Sequence, residues 1–184
     1  MTPPFFTIGH STRSLAAFVA LLRQADVTLV ADIRKMPRSR TNPQFNEAAL
    51  PRSLAGFGIG YEHVASLGGL RGKTAAVAPR INGFWTNKSF HNYADYALTD
   101  AFQAGLAHLL DAGRERRCTV MCSEAVWWRC HRRIVADYLI AKGREVFHIM
   151  GEGRLAPARL TPGAVIQAGG MITYPDPAIG REGI

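Results

Sequence analysis

Five short apolar runs punctuate the chain: FFTIG (Phe5–Gly9), VTLVADI (Val27–Ile33), GYEHV (Gly60–Val64), CTVMC (Cys118–Cys122) and EVFHI (Glu145–Ile149). Between them, apolar residues recur at helical spacing. Examples are Leu15, Phe18, Val19 and Leu22, then Leu50, Leu54 and Phe57. The stretch YADYALTDAFQAGLAHLLDAG reads as one helix stopped at Gly113, and Ile134, Tyr138 and Ile140 mark another that ends at Gly143. Such alternation predicts a single three-layer α/β domain, a mainly parallel five-stranded sheet with helices on both faces. Right-handed crossovers give the order 3-2-1-4-5, with the first and fourth strands adjacent in the middle. Pro51 fits a helix only in its first turn. The expected domain spans residues 1–150. Residues 151–184, rich in Gly, Pro and Ala, form a C-terminal extension with a small hairpin across Gly169–Gly170. Ala65–Phe90 shows no regular pattern and reads as a mobile lid, with Arg71, Lys73 and Arg80 able to close over an anion.

In parallel α/β sheets, ligands bind beyond the carboxyl ends of the strands. The first strand is followed by His10, Ser11 and Thr12; the second by Arg34, Lys35, Arg38, Ser39 and Arg40, with Asp32 at its end. After the fourth come Ser123 and Glu124, and the fifth carries His148. Turns are polar anyway, but thiol, carboxylate, imidazole and guanidinium groups at these ends exceed what turns require.

Chemistry is densest in VMCSEAVWWRCHRR, Val120–Arg133. A Cys3His zinc site fails on geometry, because strand rise separates Cys118 from Cys122 by roughly 13 Å. Cys118 is then a core thiol. A set of Cys122, Cys130 and His131 lacks a tight Cys-x-x-Cys pair, so no metal is expected. Cys122 is a candidate nucleophile at a strand end, although six residues including two tryptophans separate it from Arg129, and a phosphate-wrapping loop favours small residues. Arg129, Arg132 and Arg133 open a helix and suit an anion. Of Trp127 and Trp128, one is expected to plug the core and the other to lie on the surface.

These residues assemble into one expected site. Asp32, Arg34, Cys122, Glu124, Cys130, His131 and Arg132 line it, and His10, Ser11, Ser39 and Arg40 form its rim. Glu124 or Asp32 is the acid–base candidate. Arg132 and Arg34 would hold the anionic group of a ligand. His131 faces either the ligand or the core. The competing reading is a buried ion-pair network that ties strand ends together, with Glu124 paired to Arg132 or Arg34.

Composition narrows the class. Hydrophobic residues make up 47% and charged residues 20%, which suits a globular domain. LAAFVALLRQA is too short to span a bilayer and is broken by Arg23, and MTPPFF has no signal-peptide pattern, so a cytoplasmic protein without a membrane partner is expected. Three cysteines fit a reducing compartment. A net charge of +8 favours an anionic partner, a nucleotide or nucleic acid. Composition specifies neither a cofactor nor an oligomeric state.

The residues resemble the bacterial and archaeal family called domain of unknown function 488. Its pattern is matched by TIGHS at Thr7–Ser11, DIR at Asp32–Arg34, Pro37, the Ser39–Arg40 pair and Phe45. It continues with Tyr61 and His63, LGG at Leu67–Gly69, Cys122-x-Glu124, CHR at Cys130–Arg132, and His148–Ile149. The match runs over about residues 5 to 150. The loop AVWWR departs from relatives that often carry proline there. The resemblance implies a single α/β domain and brings no activity, substrate or cofactor. The expected function is an enzyme or specific ligand-binding domain for a phosphate-bearing substrate, nucleotide or nucleic acid. The alternative is a non-catalytic nucleic-acid-binding module.

Overall fold

A computed structural model describes residues 2–177. The expected C-terminal extension therefore lies partly, at 178–184, outside the described residues. The architecture is α/β as the alternation predicts, with a mainly parallel central sheet between two layers of helices. In chain order the elements are β1 (Phe5–Gly9), α1 (Leu15–Gln24), β2 (Leu29–Asp32), α2 (Leu50–Ala55), β3 (Gly60–His63), α3 (Lys88–Ala97) and α4 (Asp100–Ala112). Then follow β4 (Cys118–Cys122), α5 (Arg132–Ala141), β5 (Val146–Gly151), β6 (Arg154–Pro157), β7 (Val165–Ile166) and β8 (Ile172–Thr173).

The strand order is β3-β2-β4-β1-β5-β6. This corrects the expected 3-2-1-4-5: β1 and β4 are adjacent in the middle, but β2 pairs with β4 and not with β1. Every residue of β1, β2 and β4 is buried, so their burial patterns do not rank them. Only long-range register separates the two orders. The sheet also has six strands, not five. β6 runs antiparallel to β5 through a tight turn that holds Gly153 at φ 63°, and RLAP carries no apolar alternation that would announce a strand.

Alternation assigns the two faces. Phe6, Ile8, Val30 and Met121 pack against Phe18 and Leu22 of α1 and Leu50 and Leu54 of α2. Phe5, Ala31, Cys118, Val120 and Cys122 face α3, α4 and α5. Pro51 does sit in the first turn of its helix. The long helical stretch, expected as one, is two helices. Thr99 caps α4 by accepting from the Phe102 amide, and so breaks the run after Leu98.

The segment before α3 contains only short 3₁₀ turns, at Ala65–Leu67 and Pro79–Asn82. Its Arg71 is committed locally. The guanidinium donates to the Gly68 and Ala65 carbonyls and lies 3.6 Å from the Tyr96 ring centroid, so it anchors the segment rather than closing over an anion. β7 and β8 form an antiparallel hairpin. Beyond it, buried Tyr174 donates to Asp137 of α5, which stitches this part of the chain to the core. Among the described residues, no helix is long and apolar enough to cross a membrane.

One cross-strand pair gives the fold an acid-sensitive joint. Thr7 and His148 are register partners in β1 and β5, and their side chains share a buried hydrogen bond of 2.7 Å. Trp127 stacks flat on the His148 ring at 4.3 Å. Burial, helped by the nearby Arg132 charge, lowers the His148 pKa to about 4. Between its ordinary value of 6.5 and about 4, the unfolded chain binds a proton here that the folded chain does not. Stability present above pH 6.5 is therefore lost as the pH falls toward 4, on the order of 3 kcal/mol from this group. Urea unfolding between pH 7 and 4 should show a steeper decline for the wild type than for His148→Asn. Parallel curves would exclude His148 as the source.

Candidate functional site

The carboxyl ends of β1, β2 and β4 meet at one edge, and backbone hydrogen bonds continue past the strands. His10 donates to the Cys122 carbonyl, Ser11 to that of Ser123, and Ile33 to that of Met121. Gly9 determines what lies above β1. A Cβ on Gly9 would stand 1.8 Å from the Glu124 carbonyl oxygen, so only glycine lets the loop after β4 cross directly over the strand. Arg132 holds that crossing. Its guanidinium donates to the Glu124 and Ala125 carbonyls at 2.6 and 3.0 Å.

This loop path returns Cys130 to the side of Cys122. With His131 they form the floor of a cavity of about 780 Å³. The ligating atoms of the three residues all lie within 4.8 Å of one another. The His131 Nε2 is 3.0 Å from the Ile33 carbonyl, which can only accept, so Nε2 carries the proton and Nδ1 faces Cys130 Sγ at 3.7 Å. Tyr93 of α3 packs 4.8 Å from the ring, and a Cβ on Gly69 would come within 2.7 Å of Nδ1. A hydrogen bond from the Cys130 thiol lowers the Cys122 pKa well below its ordinary value, against the opposing effect of burial, and His131 acts in the same direction. Burial pushes the Cys130 thiol up. Cys118 lies at the far end of β4, buried, with its thiol toward the Arg116 carbonyl.

The other expected site residues divide sharply. Asp32 is fully buried and is not in the cavity wall. It accepts from the backbone amide and the guanidinium of Arg34 and from the Tyr61 hydroxyl. Arg34 also donates to the Phe45 carbonyl, and its Nη1 is 3.2 Å from His10 Nε2. Burial lowers the Arg34 pKa, but the hydrogen bonds and charge of Asp32 outweigh it and leave the value raised. His10 stacks on Phe45 at 4.2 Å, and its Nδ1 donates to the Ser11 carbonyl. Burial, with the Arg34 charge, holds the His10 pKa below the ordinary value. Arg34 and His10 thus reach the cavity wall as an already satisfied pair. Arg132 is spent on the loop and does not line the cavity.

Glu124 does line it. Its side chain is exposed, and no ion pair involves it among the described residues, so the expected pairing with Arg132 or Arg34 is not formed. Ser11 and Ser39 are in the wall. Arg40 instead lines a neighbouring cavity of about 650 Å³, shared with Arg38, Ser39 and Glu47. The exposed cations of the main cavity are Lys35, Arg38 and Arg129. Tyr93 and Gly69 were not expected in the site. An aromatic residue at helical spacing carries the same signal as any core position. Trp127 packs on His148, while Trp128 lies on the surface.

A family model described as domain of unknown function DUF488 matches residues 14–139. No curated protein and no solved structure matches the chain.

The site geometry separates structural from solvent-facing charges, and unfolding measurements should reproduce the division. Arg132→Ala should lower stability by about 3 kcal/mol, because it removes a buried guanidinium side chain and both hydrogen bonds that hold the loop. Glu124→Gln should change it by less than about 0.5 kcal/mol, as expected of an exposed side chain. Equal losses in urea unfolding would contradict the assignment.

Proposed function

The chain belongs to the DUF488 family, and from that premise we propose that it is a cytoplasmic enzyme acting on a phosphate-bearing substrate, a nucleotide or a nucleic-acid end, bound in the cavity at the carboxyl edge of the sheet. One observation carries this reading. Arg38 and Arg129 face the cavity without an ion-pair partner among the described residues, and Lys35, which donates to the Leu70 carbonyl, joins them, whereas the buried Arg34 is committed to Asp32 and the Phe45 carbonyl and Arg132 to two loop carbonyls. Unspent guanidinium groups around a concave site are suited to phosphate oxygens. The volume falls within the range of small-ligand sites.

In this reading Arg38, Arg129 and Lys35 hold the phosphate, and the hydroxyls of Ser11 and Ser39 add neutral donors. Glu124 is the acid–base group, since it is the carboxylate in the cavity wall. Arg34 and His10 form a rigid side wall. Asp32 acts behind that wall by orienting Arg34 and does not touch substrate.

Titration calorimetry with inorganic pyrophosphate, a panel of mononucleotides and short oligonucleotides tests the proposal. A mononucleotide or pyrophosphate should bind, and Arg38→Ala and Arg129→Ala should each weaken it about tenfold, the scale of one charge-assisted hydrogen bond. Glu124→Gln should preserve binding and lose turnover of the ligand so found. Tight oligonucleotide binding with a steep salt dependence, untouched by these variants, would favour a non-catalytic nucleic-acid-binding module instead.

A further inference from the structure

We propose that Cys122, Cys130 and His131 form a three-ligand site for a zinc-type divalent ion, with its fourth coordination position open to the cavity. The inference stands on ligand geometry and does not depend on the identity of the substrate.

Tetrahedral zinc with two sulfur ligands and one nitrogen ligand places the ligand atoms about 3.5–3.8 Å apart. The separation between Cys130 Sγ and His131 Nδ1 is 3.7 Å, and the whole set lies within 4.8 Å. The imidazole is already in the required tautomer. With Nε2–H donating to the Ile33 carbonyl, the lone pair on Nδ1 is directed toward the thiols. A backbone carbonyl behind the non-ligating nitrogen is the usual outer support of a metal-binding histidine. The ring is fixed in place by Tyr93 on one side and by Gly69, where any Cβ would strike Nδ1. Both sulfurs come from regular elements or their ends: Cys122 closes β4, and Cys130 precedes α5.

Charge favours the same assignment. Two thiolates and a divalent ion make a neutral unit, which suits a buried floor better than free thiolates or a bare cation would. On binding, thiol protons leave to solvent and neutral His131 donates its lone pair; no electrons are transferred. Three protein ligands and a free position facing a cavity match catalytic rather than structural zinc sites, which are usually closed by four protein ligands. All three ligands line the cavity, so a substrate oxygen could take the open position. Cys122 is then a ligand and not a nucleophile. The sequence spacing argued against metal because no Cys-x-x-Cys is present. The loop crossing over Gly9 supplies the proximity instead.

The test uses the full chain, reduced and stripped of metal with a chelator, titrated with Co²⁺ alone as a spectroscopic probe. The expected result is one ion per chain, with a thiolate-to-cobalt charge-transfer band and the strong d–d absorption of a four-coordinate ion. Zn²⁺ should displace the cobalt, and protons should be released on binding. Cys122→Ser, Cys130→Ser and His131→Asn should each weaken binding at least about a hundredfold. Cys118→Ala should leave it unchanged. If a cysteine variant fails to fold, the wild-type spectrum and His131→Asn decide. Absence of the charge-transfer band in the reduced wild type would overturn the proposal. So would an unaltered spectrum in Cys130→Ser, or recovery of Cys122 and Cys130 as a disulfide that survives the reductant. Because the readout uses no substrate, failure here leaves the phosphate reading standing, and failure of that reading leaves this one standing.

Discussion

The buried Arg132 guanidinium, donating to the Glu124 and Ala125 carbonyls, is the interaction on which the site depends. The loop between β4 and α5 could leave the sheet in many directions. Arg132 selects the one that crosses β1, and the missing side chain of Gly9 makes room for it. From that crossing follow the return of Cys130 to Cys122, the placement of Glu124 at the cavity rim, and the packing of Trp127 on His148. The residue resembles a ligand-binding arginine in sequence because it opens a helix after a strand. It is nonetheless a structural donor, since Nη1 and Nη2 are taken by carbonyl oxygens and the side chain is buried outside the cavity wall, its Nε without a partner among the described residues.

A second arrangement supports the opposite wall. Asp32 at the end of β2 clamps Arg34 through several hydrogen bonds, and Tyr61 of β3 closes on the same carboxylate. Arg34 then reaches across to His10 beyond β1 and to the Phe45 carbonyl. Strands that are not neighbours in the sheet are thereby joined above its edge. A buried ion pair of this kind gains little net stability over apolar packing, because desolvation offsets most of the attraction. Its usefulness lies in position: a rigid wall keeps the cavity from collapsing.

Much of this was legible in the sequence, and the failures have physical causes. Short apolar runs located the five parallel strands, and the strand-end rule gathered His10, Arg34, Cys122 and Glu124 at one edge. The position of β4 was not legible, because a strand buried on both faces carries no mark of its neighbours. β6 was missed because its side chains face solvent and its pairing rests on backbone hydrogen bonds. The break at Leu98 was legible in principle, since Thr99–Asp100 is a capping signal inside an otherwise periodic run. The nearness of Cys122 to Cys130 was hidden for a different reason. Ligand spacing rules describe tight turns, and here a loop is folded back by a distant glycine and a following arginine.

The excess of positive charge acquires meaning only once each cation is followed to its acceptors. Arg34 is matched by Asp32, Arg71 by two carbonyls and a tyrosine ring, and Arg132 by two carbonyls. Arg133 is held by Thr161 and lies over the rings of Trp85 and Trp127. These side chains contribute to the net charge of +8 yet have little left to offer a ligand. Arg38 and Arg129 differ in being exposed at the same cavity. A guanidinium in water loses little when a phosphate replaces its hydration, whereas a buried one would first have to abandon a carbonyl and leave it unpaired. In the reading proposed above, selectivity for an anion at this edge would therefore arise from the commitment of the inner arginines as much as from the exposure of the outer ones.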